Sequence, residues 1–127
     1  MNVINPKDIV KPASNYAQGI LLKSMAERLV ISGQVGLKPD GTMEQGLEAQ
    51  MERAWKNLFG VLSAAGFEKR HLVKCTVFVT QPGQVQLFRT VRDQMLEGHT
   101  CTFTYLQVAG LFKPDVLVEI EAEAVKE

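Results

Sequence analysis

Two cysteines and two histidines in 127 residues form no Cys-x-x-Cys pair and no His cluster. That excludes a zinc framework built on local ligand spacing and a dithiol redox motif. Cys75 and Cys101 lie far apart, each in a β-prone run, so both are expected as buried, reduced thiols. Charge of one sign is also missing. There are 14 Lys and Arg against 14 Asp and Glu, a formal net charge of zero, and no like-charge run longer than Lys69-Arg70. Nothing here attracts nucleic acid or an anionic membrane, and neither is expected as a partner. The longest apolar stretches, such as Gly19 to Leu22 and Leu29 to Ile31, fall far short of the roughly 20 residues that a membrane span needs. Met1 to Lys11 has no signal-peptide core, so a cytoplasmic location is expected. No GxGxxG, GxxxxGK[ST], HExxH or GxSxG occurs, which removes nucleotide-binding, zinc-hydrolase and α/β-hydrolase readings.

What remains is a chain with 46% hydrophobic and 22% charged residues, the balance of a globular domain. At this length folding hides about two-thirds of the unfolded chain's surface, enough for a core without staples. One domain over residues 1–127 is expected, since no repeat or linker interrupts the pattern.

Leu47, Met51, Ala54, Leu58, Val61, Leu62 and Ala65 recur at helical spacing and predict a long amphipathic helix over Thr42 to Gly66. Thr42 with Gln45 reads as a capping box and Gly66 as the stop. Leu87, Phe88, Val91 and Met95 predict a second helix over Gln84 to Leu96, after the Pro82-Gly83 break. Strands are predicted at Ile20–Lys23, Arg28–Gly33, Val73–Thr80, Thr102–Ala109 and Val116–Val125. The order ββαβαββ implies an α+β fold, a mixed five- or six-stranded sheet with two helices on one face. The short link Ser24–Glu27 suggests a hairpin. In the last strand Val118, Ile120, Ala122 and Ala124 oppose Glu119, Glu121 and Glu123; in the preceding one Phe103 and Tyr105 oppose Thr104 and Leu106. Both sheet faces therefore carry apolar surface, which favours an oligomer whose sheets face one another.

Among single residues, Glu119 is the sharpest candidate. A carboxylate enclosed in a cleft can pass protons near neutral pH, although a solvated acidic sheet face explains the same ladder. Ile31-Ser32-Gly33-Gln34-Val35-Gly36 is either a plain strand exit or a backbone that approaches a ligand closely. Tyr16 is an aromatic in a polar loop, and packing explains it as well as binding does. His71 and His99 are read as surface residues, and Trp55 as packing at the core edge.

Several segments, in this order, resemble the RidA/YjgF family of enamine/imine deaminases. Asn15-Tyr16-Ala17-Gln18-Gly19-Ile20 is similar to its P-Y-S-Q-A-[IV] segment, and Ile31-Ser32-Gly33-Gln34 to its S-G-Q strand end. Asn57-Leu58 with Ala65-Gly66 resembles its N-[LI] helix closing on A-G. Val73 to Val79 resembles its V-x-[KR]-[TC]-T-V-[FY] strand, and Val118-Glu119-Ile120-Glu121-Ala122 its V-E-I-E-A ending. The resemblance implies a chorismate-mutase-like fold, a homotrimer with three intersubunit clefts, and a small-molecule ligand. It also implies an arginine on the penultimate strand that holds a substrate carboxylate, with the first glutamate of V-E-I-E, Glu119, assisting water.

At the arginine the chain departs from the pattern, because Cys101 to Leu111 puts Phe103 there. A phenyl ring cannot pair a carboxylate as a guanidinium does. Three outcomes stay open: an apolar or aromatic ligand stacked on Phe103 and Tyr105, a cation supplied by Lys74, Arg89 or Arg92, or a relative that binds without catalysis. The first gives the leading expectation, hydrolysis of an enamine or imine other than a standard 2-imino acid. Glu119 is then catalytic, and Tyr16, Gly33, Gln34, Phe103, Thr104 and Tyr105 line the site; no metal or cofactor is expected. The alternative is a trimeric binding or interaction protein. Ribonuclease activity is a third, disfavoured by the absent phosphate attraction.

Overall fold

A computed structural model describes all 127 residues. Its elements are β1 (Asn2–Ile4), β2 (Gly19–Leu21), β3 (Glu27–Val35), α1 (Leu47–Ala64), a 3-10 turn (Lys69–His71), β4 (Leu72–Val79), α2 (Val85–Leu96), β5 (Thr102–Gln107) and β6 (Val118–Lys126). Four strands form one sheet in the order β3-β6-β4-β5, and β1 with β2 forms a separate two-stranded ribbon. β6 is antiparallel to both its neighbours, while β4 and β5 are parallel. β3 and β4 thus run the same way with β6 inserted between them, and each of α1 and α2 carries the chain between two such co-directional strands.

Period-two alternation decides which side is covered. Cys75, Val77 and Val79 of β4 and Val118, Ile120, Ala122 and Ala124 of β6 turn toward the helices. There they meet Met51, Ala54, Trp55, Leu58 and Leu62 of α1 and Phe88, Val91 and Leu96 of α2 in one cluster of 20 buried residues. α1 stops where the sequence signals it. Gly66 takes a φ of 75°, the Phe67 amide donates to the Leu62 carbonyl at 2.8 Å, and the Gly66 amide donates to the Ser63 carbonyl at 3.1 Å. This left-handed exit folds the buried Phe67 under the helix end.

The mixed sheet and the two-helix layer agree with the expected fold, but its six strands divide four and two. The Ser24–Glu27 hairpin does not form: β2 pairs with β1 and β3 with β6. That link contains no Gly or Asn to make a tight primed turn. α1 begins at Leu47 behind Gly46, at φ 88°, and not at Thr42. The Thr42 amide and hydroxyl both donate to Asp40 Oδ1, at 2.9 and 2.6 Å, so the threonine serves a turn instead of a helix cap. Ala65 is exposed beyond the helix, and Trp55 is at the core's centre with 0% exposure. His71 is not on the surface either. It is 8% exposed, lies edge-on to Phe67, and its Nδ1 accepts the Glu68 amide at 2.9 Å. His99 is half-buried, its Nε2 set 2.8 Å from the Leu72 carbonyl.

The face away from the helices has no layer over it. Across β6, β4 and β5 its side chains form rows: Glu123–Lys74–Thr102, Glu121–Thr76–Thr104 and Glu119–Phe78–Leu106. Apolar residues interrupt the polar ones, with Val30 63% and Leu106 43% exposed. No helix of the chain is long and apolar enough to cross a membrane.

Candidate functional site

Glu119 sits where β6 has a partner on each side, Val35 of β3 and Phe78 of β4. Its neighbours Val118 and Ile120 face the helices, so its side chain is on the open face. Opposite it, β3 carries an irregularity: Ile31 pairs with Ala122 but Gln34 pairs with Ile120. Ser32 and Gly33 therefore oppose Glu121 alone, a bulge of the kind that re-aims groups beside a site. Gly33 lies against the Glu119 side chain so closely that a Cβ there would be 2.6 Å from the carboxyl carbon. Only glycine leaves room for the carboxylate on that backbone.

The strand end that carries this contact is clamped from α1. Asn57 Nδ2 donates to the Val35 carbonyl at 3.0 Å and to the Leu37 carbonyl at 2.9 Å. Gly36, between them, packs on α1 itself; a Cβ on it would lie 2.7 Å from Gln50 Cα. Gln34 Nε2 turns back to the Ser32 carbonyl at 3.1 Å. Glu119, Gly33 and Gln34 thus form one group.

The other candidates gather around β5, the edge strand. Tyr16 is half-buried in a loop moored beside the start of this strand. The Ala17 amide donates to the Cys101 carbonyl at 2.9 Å, and the Thr100 hydroxyl donates to Asn15 Oδ1. Phe103 pairs with Cys75 and Tyr105 with Val77, so both rings turn toward the helices. Phe103 meets Trp55 at 6.3 Å and Phe88 at 6.0 Å between ring centroids, both edge-on. Tyr105 is 5.5 Å from Phe88. Burial raises its phenol above the ordinary 10, which keeps it a protonated donor at neutral pH. Thr104 points the opposite way, into the open-face row with Thr76 and Glu121.

Within one chain, then, the Glu119 group and the Phe103–Tyr105 pair are not brought together. β4 separates their strands, and they use opposite faces of the sheet. Of the three cations weighed as substitutes for the strand arginine, Lys74 belongs to the open face, in the row with Glu123. Arg92 is the one against Phe103, its guanidinium carbon 5.1 Å from the ring centroid. The sequence reading assigned no role to Asn57 or to the buried Gln50. Gln50 Nε2 donates to the Glu44 carbonyl at 3.1 Å and the Asp115 carbonyl at 2.9 Å, and its Oε1 accepts the Leu117 amide at 2.9 Å. A polar residue inside an apolar helical stripe is the signal that marked it.

Cys75 and Cys101 are free and buried, their sulfurs 3.7 Å apart. The hydrogen bond to Cys101, then burial, hold the Cys75 thiol well above its ordinary range. Cys75 therefore packs as a neutral thiol against Cys101 beneath β5.

The family model described as Endoribonuclease L-PSP matches residues 7–126. A 2-iminobutanoate/2-iminopropanoate deaminase of Salmonella typhimurium is 33% identical over 115 residues, covering 87% of each chain. Among solved structures, YyfB of Yersinia pestis, a Rid-family protein of unknown function, superposes with a TM-score of 0.89 at 26% identity, covering 98% of each chain. TdcF of Escherichia coli with bound serine superposes with a TM-score of 0.74 at 29% identity over the whole of both chains.

Proposed function

The chain belongs to the RidA/YjgF family, described as Endoribonuclease L-PSP, and from that premise we propose that it hydrolyses the C=N bond of an enamine- or imine-bearing small metabolite. Residues 1–127 act as one domain of a homotrimer, and the site lies in the cleft between two subunits. The observation that carries this reading is the Glu119 carboxylate seated on the bulged backbone of Gly33. A strand placed between helix-covered partners spends a glycine and a register shift on one acidic side chain facing outward.

The chemistry needs little else. An enamine takes a proton on carbon and becomes an iminium ion, the same species a protonated imine supplies. Water adds to the iminium carbon while one of its protons passes to Glu119, giving a carbinolamine; that proton then moves to the amino group, the C–N bond breaks, and the protonated carbonyl that forms gives up its hydroxyl proton to the freed carboxylate. A carbonyl compound and ammonia leave, with no change of oxidation state. Positioned proton transfer of this kind contributes about 10²- to 10⁴-fold.

The separation of the two residue groups supports an intersubunit cleft. Glu119 with Gly33 and Gln34 is one wall; Tyr16, Phe103, Thr104 and Tyr105 at the β5 edge of a neighbouring copy are the other. Val30 and Leu106, exposed on the open face, supply apolar area for that contact. Because rings stand at Phe103 and Tyr105, the substrate is an imine with an apolar or aromatic arm and not a standard 2-imino acid. The test is ammonia release from freshly generated imines with methyl or phenyl arms. Faster turnover of the phenyl series is expected; turnover of methyl imines alone contradicts the specificity. The packing of Phe103 into the helix layer favours a second reading, a trimer that binds such ligands without turning them over; no hydrolysis of either series selects it.

A further inference from the structure

Between the last turn of α1, the 3-10 turn and the exit from α2 lies a cavity of about 430 Å³, within the range that holds small molecules. Its floor is apolar, made by Phe59, Leu62, Phe67 and Leu96, and its rim carries charges of both signs. None of the residues of the site proposed above lines it. It belongs to the helix layer and not to the open face of the sheet.

On the rim one ion pair is closed and one is open. Arg70 donates through Nε and Nη2 to the two oxygens of Glu68, at 3.3 and 3.2 Å, and this holds the carboxyl below its ordinary value. Lys69 and Glu97 are arranged otherwise. The Lys69 ammonium donates to the Met95 carbonyl at 2.8 Å and lies 4.4 Å from the Phe59 centroid, but it stays 3.7 Å from Glu97 Oε2, beyond a hydrogen bond. An ammonium has three N–H groups. Two of them, and the whole Glu97 carboxylate, have no hydrogen-bond partner in the chain.

Glu97 is also the only residue other than glycine with a positive φ, at 52°, a region that glycine enters freely and an L side chain rarely does. At this cap of α2 a glycine would be unstrained, and the chain keeps a carboxylate there instead. His99, on the same rim, adds an acceptor. Its Nε2 lies 2.8 Å from the Leu72 carbonyl, which can only accept, so Nε2 carries the proton and Nδ1 of the neutral ring offers a lone pair.

A simple amine would meet Glu97 and His99 alone, and a simple carboxylate Lys69 alone; a molecule with both charges meets all three. We propose that this cavity binds a free apolar α-amino acid: its carboxylate meets the Lys69 ammonium, its ammonium meets the Glu97 carboxylate and His99, and its side chain lies on the phenyl and leucine floor. Entering between Lys69 and Glu97, a zwitterion gives each a partner and leaves the charge balance of the rim unchanged. The loose surface pair it replaces contributes little to stability. The site is separate from the one proposed above and stands whether or not the chain hydrolyses an imine.

Four probes test it: L-leucine, 4-methylpentanoate, which lacks the ammonium, 3-methylbutylamine, which lacks the carboxylate, and glycine, which lacks the arm. Each is titrated calorimetrically into the native protein, Lys69→Gln, Glu97→Gln and Glu119→Gln, with folding read from the melting temperature. The native protein is expected to bind leucine about tenfold or more tighter than any other probe, the worth of one charge-assisted hydrogen bond. Glu97→Gln brings leucine down toward the affinity of 4-methylpentanoate, Lys69→Gln brings it toward that of the amine, and Glu119→Gln changes neither. Glu97 is exposed, so its variant serves if Lys69→Gln fails to fold. No leucine binding at millimolar concentration, equal binding of leucine and a singly charged probe, or a leucine affinity unchanged in Glu97→Gln or in a folded Lys69→Gln overturns the proposal. Leucine binding that is lost in Glu119→Gln overturns it too, because the amino acid is then held beside Glu119 and not in this cavity.

Discussion

The Glu119 carboxylate lies on the backbone of Gly33, in the space a Cβ would occupy. Three features of the chain converge on that contact: the alternation of β6, the Ser32-Gly33 bulge in β3, and the Asn57 clamp on the carbonyls that follow it. The pairing makes opposite demands at two nearby glycines.

Gly33→Ala forces its methyl into the end of a flexible side chain, which can swing away. Folding survives with a loss of about 1 kcal/mol, and Glu119 is displaced. Gly36→Ala drives its methyl into Gln50 Cα, which belongs to helix backbone, and costs about 3 kcal/mol or more. Urea denaturation of both variants checks the order; a Gly33 variant as unstable as the Gly36 variant contradicts it.

Gln50→Ala removes one side chain and strands three backbone groups at once, on Glu44, Asp115 and Leu117. An unmet buried polar group costs about 1–3 kcal/mol, and loop relaxation lets water reach some of these. A net loss of about 3 kcal/mol is expected from the denaturation midpoint, with β6 exchanging its amides faster near Leu117.

Much of this fold was legible because period and packing agree. The Leu47–Leu62 stripe and the Val118–Glu123 alternation each have a single face that can be buried. The N-terminal ribbon was not legible: β1 is three residues long and exposed, so no pattern marks it. The Thr42 cap failed because Asp40, two residues before it, competes for the same amide. At the site, Glu119 and Gly33 are visible singly, but their contact depends on a bulge that shifts the register by one residue, and no periodicity announces it. The inward turn of Phe103 follows from its parallel register with Cys75, a pairing known only once β4 and β5 are placed side by side. The sequence offers Arg92 as one of three cations beside the site but not its burial against Phe103, since charged residues in a helix are read as solvent-facing.

Phe103→Arg restores the family's residue type but brings a second guanidinium to the place of a ring whose centroid lies 5.1 Å from the Arg92 guanidinium carbon. Like charges at that separation repel by about 3 kcal/mol at an effective dielectric of 20. The variant is expected to melt well below the native protein, and Phe103→Arg with Arg92→Leu to recover most of the loss. Equal melting temperatures of the single and double variants contradict this coupling.

Burial first, and Arg70 second, hold the His71 imidazole below its ordinary 6.5 in the folded chain. Below that pH the unfolded chain takes up a proton that the folded chain declines, so stability falls as pH drops from 6.5 toward the folded value. Protonation of Nδ1 would also remove the acceptor of the Glu68 amide. Urea midpoints between pH 7.5 and 5 are expected to decline in the native protein and to flatten over this window in His71→Gln.

The most direct measurement is the rate of ammonia release from a freshly generated phenyl-armed imine by native protein and by Glu119→Gln, with trimer content and melting temperature measured on both. If Glu119 moves the proton, the variant stays folded and assembled and loses at least 10²-fold in rate. A folded, trimeric Glu119→Gln that turns over the imine at the native rate contradicts the catalytic role of this carboxylate.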